Sequence, residues 1–357
     1  MVKKAMVAMS GGVDSSVAAY LIKQQGYEAI GITLKLYDNE DVGVSREKTC
    51  CSLEDVEDAR SVASKLGMPF YVLNFSEAFK TEVINRFVKT YKCGATPNPC
   101  IDCNRYIKFD KLMLRAKQLG FDYVVTGHYA GVEYDDASGR YLLKKAVDIL
   151  KDQSYVLFSM TQEQLSKILF PLGKLKKTEV RQIALENGFT NANKHDSQDI
   201  CFVKDGDYAK FIEAYTGESF ERGNFVDLEG SILGSHNGII RYTIGQRKGL
   251  GLSFASPMYV CSKDIFSNTV TLGEEPDLYI KSLTAEDINL IACSSIERPL
   301  RVKAKVRYKQ EEQWATIEQT EVNQIQLEFD FPQRAIAKGQ AVVFYDGETV
   351  VGGGTIK

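Results

Sequence analysis

Ala5-Met6-Val7-Ala8-Met9-Ser10-Gly11-Gly12-Val13-Asp14-Ser15-Ser16-Val17-Ala18 decides how the rest of the chain is read. Ala5 to Met9 is a short apolar run suited to a buried parallel strand. Ser10, Gly11 and Gly12 follow without a spacer. From Ser15 to Gln25 the residues Val17, Ala18, Leu21 and Ile22 recur at helical spacing, and Gly26 ends the run. A strand turning directly into a helix puts the turn at the carboxyl end of the sheet, where ligands bind in such folds. Gly11 and Gly12 let the backbone approach an anion. The first N–H groups and the dipole of the helix attract phosphate. Asp14 repels phosphate by charge, so it is expected to hold a Mg²⁺ or to cap the helix. A plain strand-to-helix turn with an N-cap serine would begin the same way. There is no G-x-x-x-x-G-K-[ST] stretch, which disfavours γ-phosphate chemistry of that kind.

Working outward, strands and helices alternate. Ala29 to Leu34, Phe70 to Leu73 and Tyr123 to Thr126 are predicted strands. Leu53 to Leu66, Ser76 to Tyr91 and Ile107 to Leu119 are predicted helices. This alternation predicts an α/β, doubly wound parallel sheet over residues 1–204. From about residue 205 glycine, asparagine and serine become frequent. Arg241 to Ile244, Met258 to Cys261 and Thr269 to Leu272 read as strands of a small β-rich central domain, 205–275. Leu283 to Ala292, Leu300 to Tyr308, Thr316 to Gln319, Ile325 to Phe329 and Ala341 to Tyr345 predict a C-terminal β-barrel, 276–357. Gly249-Leu250-Gly251 has no helix behind it and is discounted as a dinucleotide fingerprint.

The 357 residues carry 44 basic and 47 acidic side chains, a net charge of −3. That excludes a protein held to nucleic acid or membrane by overall charge and leaves room only for local basic patches. Two lysines precede only five apolar residues at the start, so no signal peptide is expected. No apolar run reaches the roughly 18 residues of a membrane helix, so a cytoplasmic protein without membrane contact is expected. Eight cysteines are too sparse for a disulfide scaffold. Their spacing is uneven: Cys50-Cys51, Cys93, Cys100-x-x-Cys103, Cys201, Cys261 and Cys293.

The second landmark is Thr96-Pro97-Asn98-Pro99-Cys100-Ile101-Asp102-Cys103-Asn104-Arg105-Tyr106-Ile107-Lys108-Phe109. Two prolines stiffen the approach, and Asn104 is expected to cap the helix starting near 107. A helix N-terminus with Arg105 and Lys108 close by should raise the thiolate fraction of Cys103 and make it a nucleophile. The spacing alone admits three readings: a redox or sulfur-handling pair, a metal site completed by Cys93 or Cys50-Cys51, or two inert cysteines. A structural zinc site wants four ligands, and there is no second C-x-x-C. Cys201, between Ile200 and Phe202, reads by itself as core. His195 and His236 have no acidic or cysteine pattern beside them that would make a metal triad. Arg301, Lys303, Lys305, Arg307 and Lys309 alternate at period two, so a strand would present all five on one face as an RNA-binding stripe. The alternative is a solvated strand face.

Together these segments resemble the tRNA-specific 2-thiouridylase family, within the PP-loop N-type ATP pyrophosphatases, over essentially the whole chain. The resemblance is carried by SGGVDSSV, TPNPC..CN..IKF, Thr126-Gly127-His128-Tyr129-Ala130, Lys151-Asp152-Gln153-Ser154-Tyr155, DSQDICFV, Tyr242-Thr243-Ile244-Gly245-Gln246-Arg247-Lys248-Gly249 and Arg307-Tyr308. It implies an ATP-dependent sulfurtransferase acting at C2 of the wobble uridine in tRNAs for Lys, Glu and Gln. ATP contacts are implied for Ala8, Met9, Ser10, Gly11, Gly12, Val13, Asp14, Ser15, Leu34 and Gly127. Cys103 matches the nucleophile and Cys201 the persulfide carrier, with a Cys103–Cys201 disulfide after turnover. Asn98, Pro99 and Cys100 match the segment around the target base. His128, Lys151, Asp152, Gln153, Arg307, Tyr308 and Gln340 match tRNA contacts. Many relatives have Asp at the place of Cys100, so that acid's role does not transfer. Relatives with Cys there imply a 4Fe-4S cluster on Cys100, Cys103 and Cys201. A persulfide donor, such as a cysteine desulfurase or relay protein, is the implied partner. Rival readings are another PP-loop ligase or amidotransferase, and a non-catalytic iron–sulfur RNA-binding redox sensor.

Overall fold

A computed structural model describes residues 2–37, 53–195, 200–203 and 206–357. Cys50, Cys51 and the stretch 196–199 ahead of Cys201 lie outside the described residues. The first sheet is parallel throughout, in the order β3-β2-β1-β4-β7, formed by β1 (Lys4–Ala8), β2 (Glu28–Lys35), β3 (Phe70–Asn74), β4 (Tyr123–Val125) and β7 (Ile168–Leu169). β1 is the central strand, with Ala5, Met6 and Val7 fully buried. This is why its sequence is a continuous apolar run rather than an alternating one. Helix α1 (Val13–Gln24) leaves β1 directly, and α2 (Leu53–Lys65) packs on the same layer through Ala59, Val62 and Ala63.

Two long helices cross the other layer. α3 runs through 76–92 with a π-helical turn at Lys80–Ile84, and α4 runs through 99–118 with a π-helical segment at Cys103–Lys111. The expected start near 107 is therefore corrected. Asn98 is the N-cap, its side chain accepting from the Cys100 N–H, and Pro99 opens the first turn. Asn104 is instead a buried interior residue that donates to the Val156 carbonyl at 3.1 Å.

The central region contains α7 (Tyr208–Thr216) and a four-stranded sheet, β10-β11-β8-β9, of β8 (Gly223–Val226), β9 (Ile232–His236), β10 (Tyr259–Asp264) and β11 (Thr269–Gly273). The strand expected at 241–244 is absent; a 3₁₀ turn, Ile239–Arg241, stands before it. The last region is a closed barrel of β12 (Tyr279–Leu290), β13 (Leu300–Lys305), β14 (Gln313–Glu321), β15 (Gln324–Arg334), β16 (Ala341–Asp346) and β17 (Thr349–Ile356). The β12–β17 pairing closes it. Six strands stand where five were expected. β17 escaped because its Val350-Val351-Gly352-Gly353-Gly354 run lacks alternation. A Cβ on Gly353 would lie 2.6 Å from the Val342 carbonyl oxygen, so neighbouring backbone requires glycine there.

One hairpin crosses between regions. β5 (Gly131–Asp135) and β6 (Arg140–Lys144) leave the parallel-sheet region and join the barrel sheet, where Lys144 pairs with Thr349. α5 (Gln162–Ser166) donates from Gln162 to the Ile291 carbonyl, and Asn289 on β12 donates back to the Phe158 and Met160 carbonyls. A single apolar cluster runs from Phe87 through Phe202, Phe211 and Phe225 to Val343 and Tyr345. The barrel is thereby held against the residues that position α4. No helix among the described residues is long and apolar enough to cross a membrane.

Candidate active site

The loop after β1 is tightly determined. Gly11 has φ +78°, and a Cβ there would sit 2.3 Å from the Asp55 carbonyl oxygen. Only glycine avoids both the left-handed strain and the collision. Ser15 Oγ accepts from the Ser10 N–H and donates to the Gly12 carbonyl at 3.0 Å, which folds the loop over the start of α1. Buried Asn191 donates to the Gly11 carbonyl at 2.8 Å and to Ser16 Oγ at 2.9 Å. Ala8 and Met9 lead into the loop. Leu34 lies near the carboxyl end of β2, where Thr33 Oγ1 donates to the Met9 carbonyl at 2.6 Å.

Asp14 does not cap α1. Its carboxylate is gripped by Lys177 Nζ, at 2.7 and 2.8 Å from the two oxygens, and by Tyr129 Oη at 2.8 Å. Lys177 opens α6 (Lys177–Glu186), is almost wholly buried, and has its backbone N–H held by Asp148. It was not singled out from the sequence. A lysine among Lys174, Lys176 and Lys177 gives no sign that one is buried, although its place at a helix start just past Gly173 was visible.

The turn after β4 joins the loop to the cysteine helix. Gly127 has no room for a side chain: a Cβ would lie 2.7 Å from the Ser15 backbone nitrogen. Tyr129 reaches Asp14. His128 is buried between Phe109 and Phe170, hydrogen-bonds Thr126 Oγ1 through Nδ1 at 2.7 Å, and has Lys108 Nζ 3.5 Å from Nε2. Burial, with Lys108 adding to it, pushes its pKa well below the usual histidine value. His128 is thus a neutral, largely buried group.

On α4, Cys100 is exposed and Cys103 partly buried; Cys201 is partly buried as well. The cations expected to assist Cys103 are committed elsewhere. Arg105 forms a bidentate pair with Asp287 on β12, a residue held at φ +53°, and Lys108 faces His128. Asp102, between the two cysteines, was missed in the sequence. Burial raises its pKa to about 6, opposed by Arg86, whose Nε is 3.6 Å away, and by Arg105.

Cys201 looked like a core residue, and its neighbour is one. Phe202 is buried against Phe79, Phe87 and Phe211, and Tyr37 Oη donates to the Cys201 carbonyl at 2.6 Å. This anchor leaves Cys201 at the edge of the same apolar cluster that Cys103 packs against. Among the described residues no group of three or more His, Cys, Asp and Glu side chains is placed to hold a metal ion. The described residues thus give no support to a 4Fe-4S cluster on Cys100, Cys103 and Cys201. Cys93, Cys261 and Cys293 also lie outside any such group.

Residues expected to touch RNA fall into two sets. Lys151, Asp152 and Gln153 are partly exposed, but Asp152 also ties its own turn together through Ala146 and Ser154. Tyr308 Oη donates to the Asp152 carbonyl at 3.0 Å, and Cys100 is one of the groups raising its pKa. Gln340 donates to the Thr96 and Pro97 carbonyls, and Arg307 to those of Ile244 and Ala335. These three bind the regions to one another and fix the loop ahead of Asn98. The basic stripe also changes. β13 ends at Lys305, so only Arg301, Lys303 and Lys305 share its outer face. Arg301 is paired with Asp330, Lys305 is half-buried near Asp152 and Glu312, and Lys303 lies over the Trp314 ring.

Comparison with known proteins agrees with this arrangement. Residues 3–205 match the family model described as the tRNA methyl transferase HUP domain. Residues 209–274 match its PRC-barrel domain, and 280–356 the aminomethyltransferase beta-barrel domain. The chain is 55% identical to the tRNA-specific 2-thiouridylase MnmA of Clostridioides difficile, over 100% of this chain and 99% of that one. It is 54% identical to the enzyme of the same name from Acetivibrio thermocellus, over 99% of each. The chain belongs to the tRNA-specific 2-thiouridylase family.

Proposed function

We propose that this sulfurtransferase thiolates C2 of the wobble uridine in tRNAs for Lys, Glu and Gln, using ATP and a persulfide carried on Cys201. The observation that carries the reading is the turn 126–129. Gly127 presses on the first turn of α1, Tyr129 holds Asp14, and His128 meets Lys108 on the cysteine helix. A base placed between the nucleotide loop and Cys103 would meet both halves of the chemistry.

Uracil C2 is a poor electrophile and its oxygen a poor leaving group. Attack of O2 on the α-phosphate of ATP, with loss of pyrophosphate, corrects both faults. The amides of Gly11 to Ser15 and the α1 dipole stabilise the charge developing on the phosphates. A Mg²⁺ arriving with the nucleotide would supply further charge neutralisation, and Asp14 is the loop carboxylate able to meet it once Lys177 lets go. The terminal sulfur of the Cys201 persulfide then attacks C2, and AMP leaves. Cys103 thiolate attacks the Cys201 sulfur, freeing the thiolated base and leaving a Cys103–Cys201 disulfide for an external thiol to reduce. The two anchors, Phe202 for Cys201 and the α4 start for Cys103, support this division of labour. The sulfur comes from a persulfide-bearing donor protein, and the setting is the cytoplasm. The three units are taken as 1–204, 205–275 and 276–357.

Mass spectrometry of tRNA nucleosides after incubation with ATP, Mg²⁺ and a persulfide donor tests the proposal. It predicts 2-thiouridine at the wobble position, dependent on ATP. A product at another position, or none, would overturn it.

A further inference from the structure

The turn 147–151 is a rigid apolar projection. Val147 is 58% exposed, Ile149 62% and Leu150 94%. Exposed apolar residues in sequence on one turn are unusual, because a turn normally presents polar groups to water. The turn is not loose. Lys151 N–H donates to the Asp148 carbonyl at 2.9 Å, and Asp152 Oδ1 accepts from the Ala146 N–H at 2.9 Å, closing its base.

Both shoulders of the turn are tied to the active site. On one side Val147 N–H donates to the Gly173 carbonyl, and Asp148 accepts from the backbone of Lys177, whose ammonium holds Asp14 of the nucleotide loop. On the other side the Asp152 carbonyl accepts from Tyr308, which stands near Cys100. The projection is therefore tied at one end to the residue that holds the ATP loop and at the other to a residue near the cysteine helix.

Three lysines stand beside it. Lys151 follows the tip, and Lys174 and Lys176 flank the Gly173 contact, both exposed. Asp148, Asp152 and Glu179 stand near them, Asp148 accepting from the Lys177 backbone, Asp152 from Ala146 and Ser154, and Glu179 from the Lys176 backbone. An exposed apolar point with lysines beside it fits a polyanion with apolar rings inside it, which is an RNA loop.

We infer that Ile149 and Leu150 form a wedge that enters the anticodon loop and takes the place of the extruded uridine, stacking on the base left behind. Extruding a base exposes its neighbour's face, and apolar side chains commonly fill that gap. The inference deepens the proposed function and depends on RNA being the substrate.

The test uses the full chain and an anticodon stem–loop carrying 2-aminopurine beside the target uridine. Leu150→Ala, Leu150→Asp and Leu150→Met alter a residue that packs on nothing, so unchanged melting temperatures are expected. With the wild-type chain, 2-aminopurine fluorescence changes on binding as the stack opens. Leu150→Ala and Leu150→Asp lose most of that change and raise KM for tRNA on the order of tenfold, the scale of one lost stacking contact. Leu150→Met retains both. Wild-type fluorescence and KM in Leu150→Asp would overturn the wedge. So would a defect seen only when a protein delivers the sulfur and not with a small persulfide, since the turn would then be a protein-docking site. Absence of thiouridine with the wild-type chain, despite a normal fluorescence change, would instead strike the functional reading and leave the wedge standing.

Discussion

Gly11→Ala separates the nucleotide loop from the rest of the fold. At φ +78° an L-residue costs about 1–2 kcal/mol from strain alone. The added Cβ also lies 2.3 Å from the Asp55 oxygen, 2.7 Å from its Cα and 2.8 Å from its carbonyl carbon, where ordinary contact begins at 3.4 Å. All three atoms are backbone of α2, so the loop has to move by about 1 Å. Displacement on that scale at a reacting centre costs about a hundredfold in rate. Gly26→Ala is the control. Gly26 has φ +83° with nothing within 4 Å, so it carries the strain without the collision. Urea unfolding should show both variants destabilised by about 1–2 kcal/mol, with Gly11→Ala the worse. Titration with a fluorescent ATP analogue should show normal affinity in Gly26→Ala and strongly weakened affinity in Gly11→Ala. Normal ATP affinity in a folded Gly11→Ala would refute the assignment of this loop.

Lys177→Met removes two charge-assisted hydrogen bonds from Asp14 and should destabilise the chain by about 1–3 kcal/mol. Adding Asp14→Asn should recover part of that stability in urea melts without restoring ATP binding. The carboxyl of Asp102 has a pKa raised by burial to about 6. A raised acid binds its proton more tightly when folded, so its ionisation opposes folding above pH 6, and that opposition fades as pH falls from 6 towards 4. Asp102→Asn should therefore gain stability over wild type at pH 7 to 8, by about 3 kcal/mol at most, and lose the advantage near pH 4; a constant difference across pH would contradict this. Lys303→Ala should lower the salt-dependence slope of tRNA binding by about 1. Arg301→Ala, whose charge Asp330 already balances, should change the slope little.

Much of the parallel sheet could be read directly, because buried parallel strands are apolar runs and glycines mark the helix ends. The β1–α1 junction is the clearest case. Asn98-Pro99 was harder. Two prolines look like a stiff approach, yet a capping residue followed by proline is also how a helix opens, and α4 starts there. α7 had an Asp207 cap and Gly217 behind it, but the glycine-rich surroundings masked both. Cross-strand and inter-region pairings have no local signature. Nothing near Arg105 announces Asp287, 182 positions away, and nothing near Arg301 announces Asp330. For the same reason Tyr308 and Gln340 show their ties to Asp152 and to the Thr96-Pro97 backbone only in the folded chain. Cys201 illustrates the opposite limit: the apolar neighbours that made it look inert are what anchor its backbone, through Phe202 and Tyr37.

The central claim is that Cys103 and Cys201 together move sulfur to an ATP-activated uridine. Single-turnover thiolation with Cys201 preloaded as the persulfide, read by nucleoside mass spectrometry, tests it most directly. The account predicts 2-thiouridine from the wild-type chain with ATP, none without ATP, and none from Cys201→Ser. Cys103→Ser should load sulfur on Cys201 yet release no thiolated tRNA. Full product from Cys103→Ser, or from Cys201→Ser, would contradict the account.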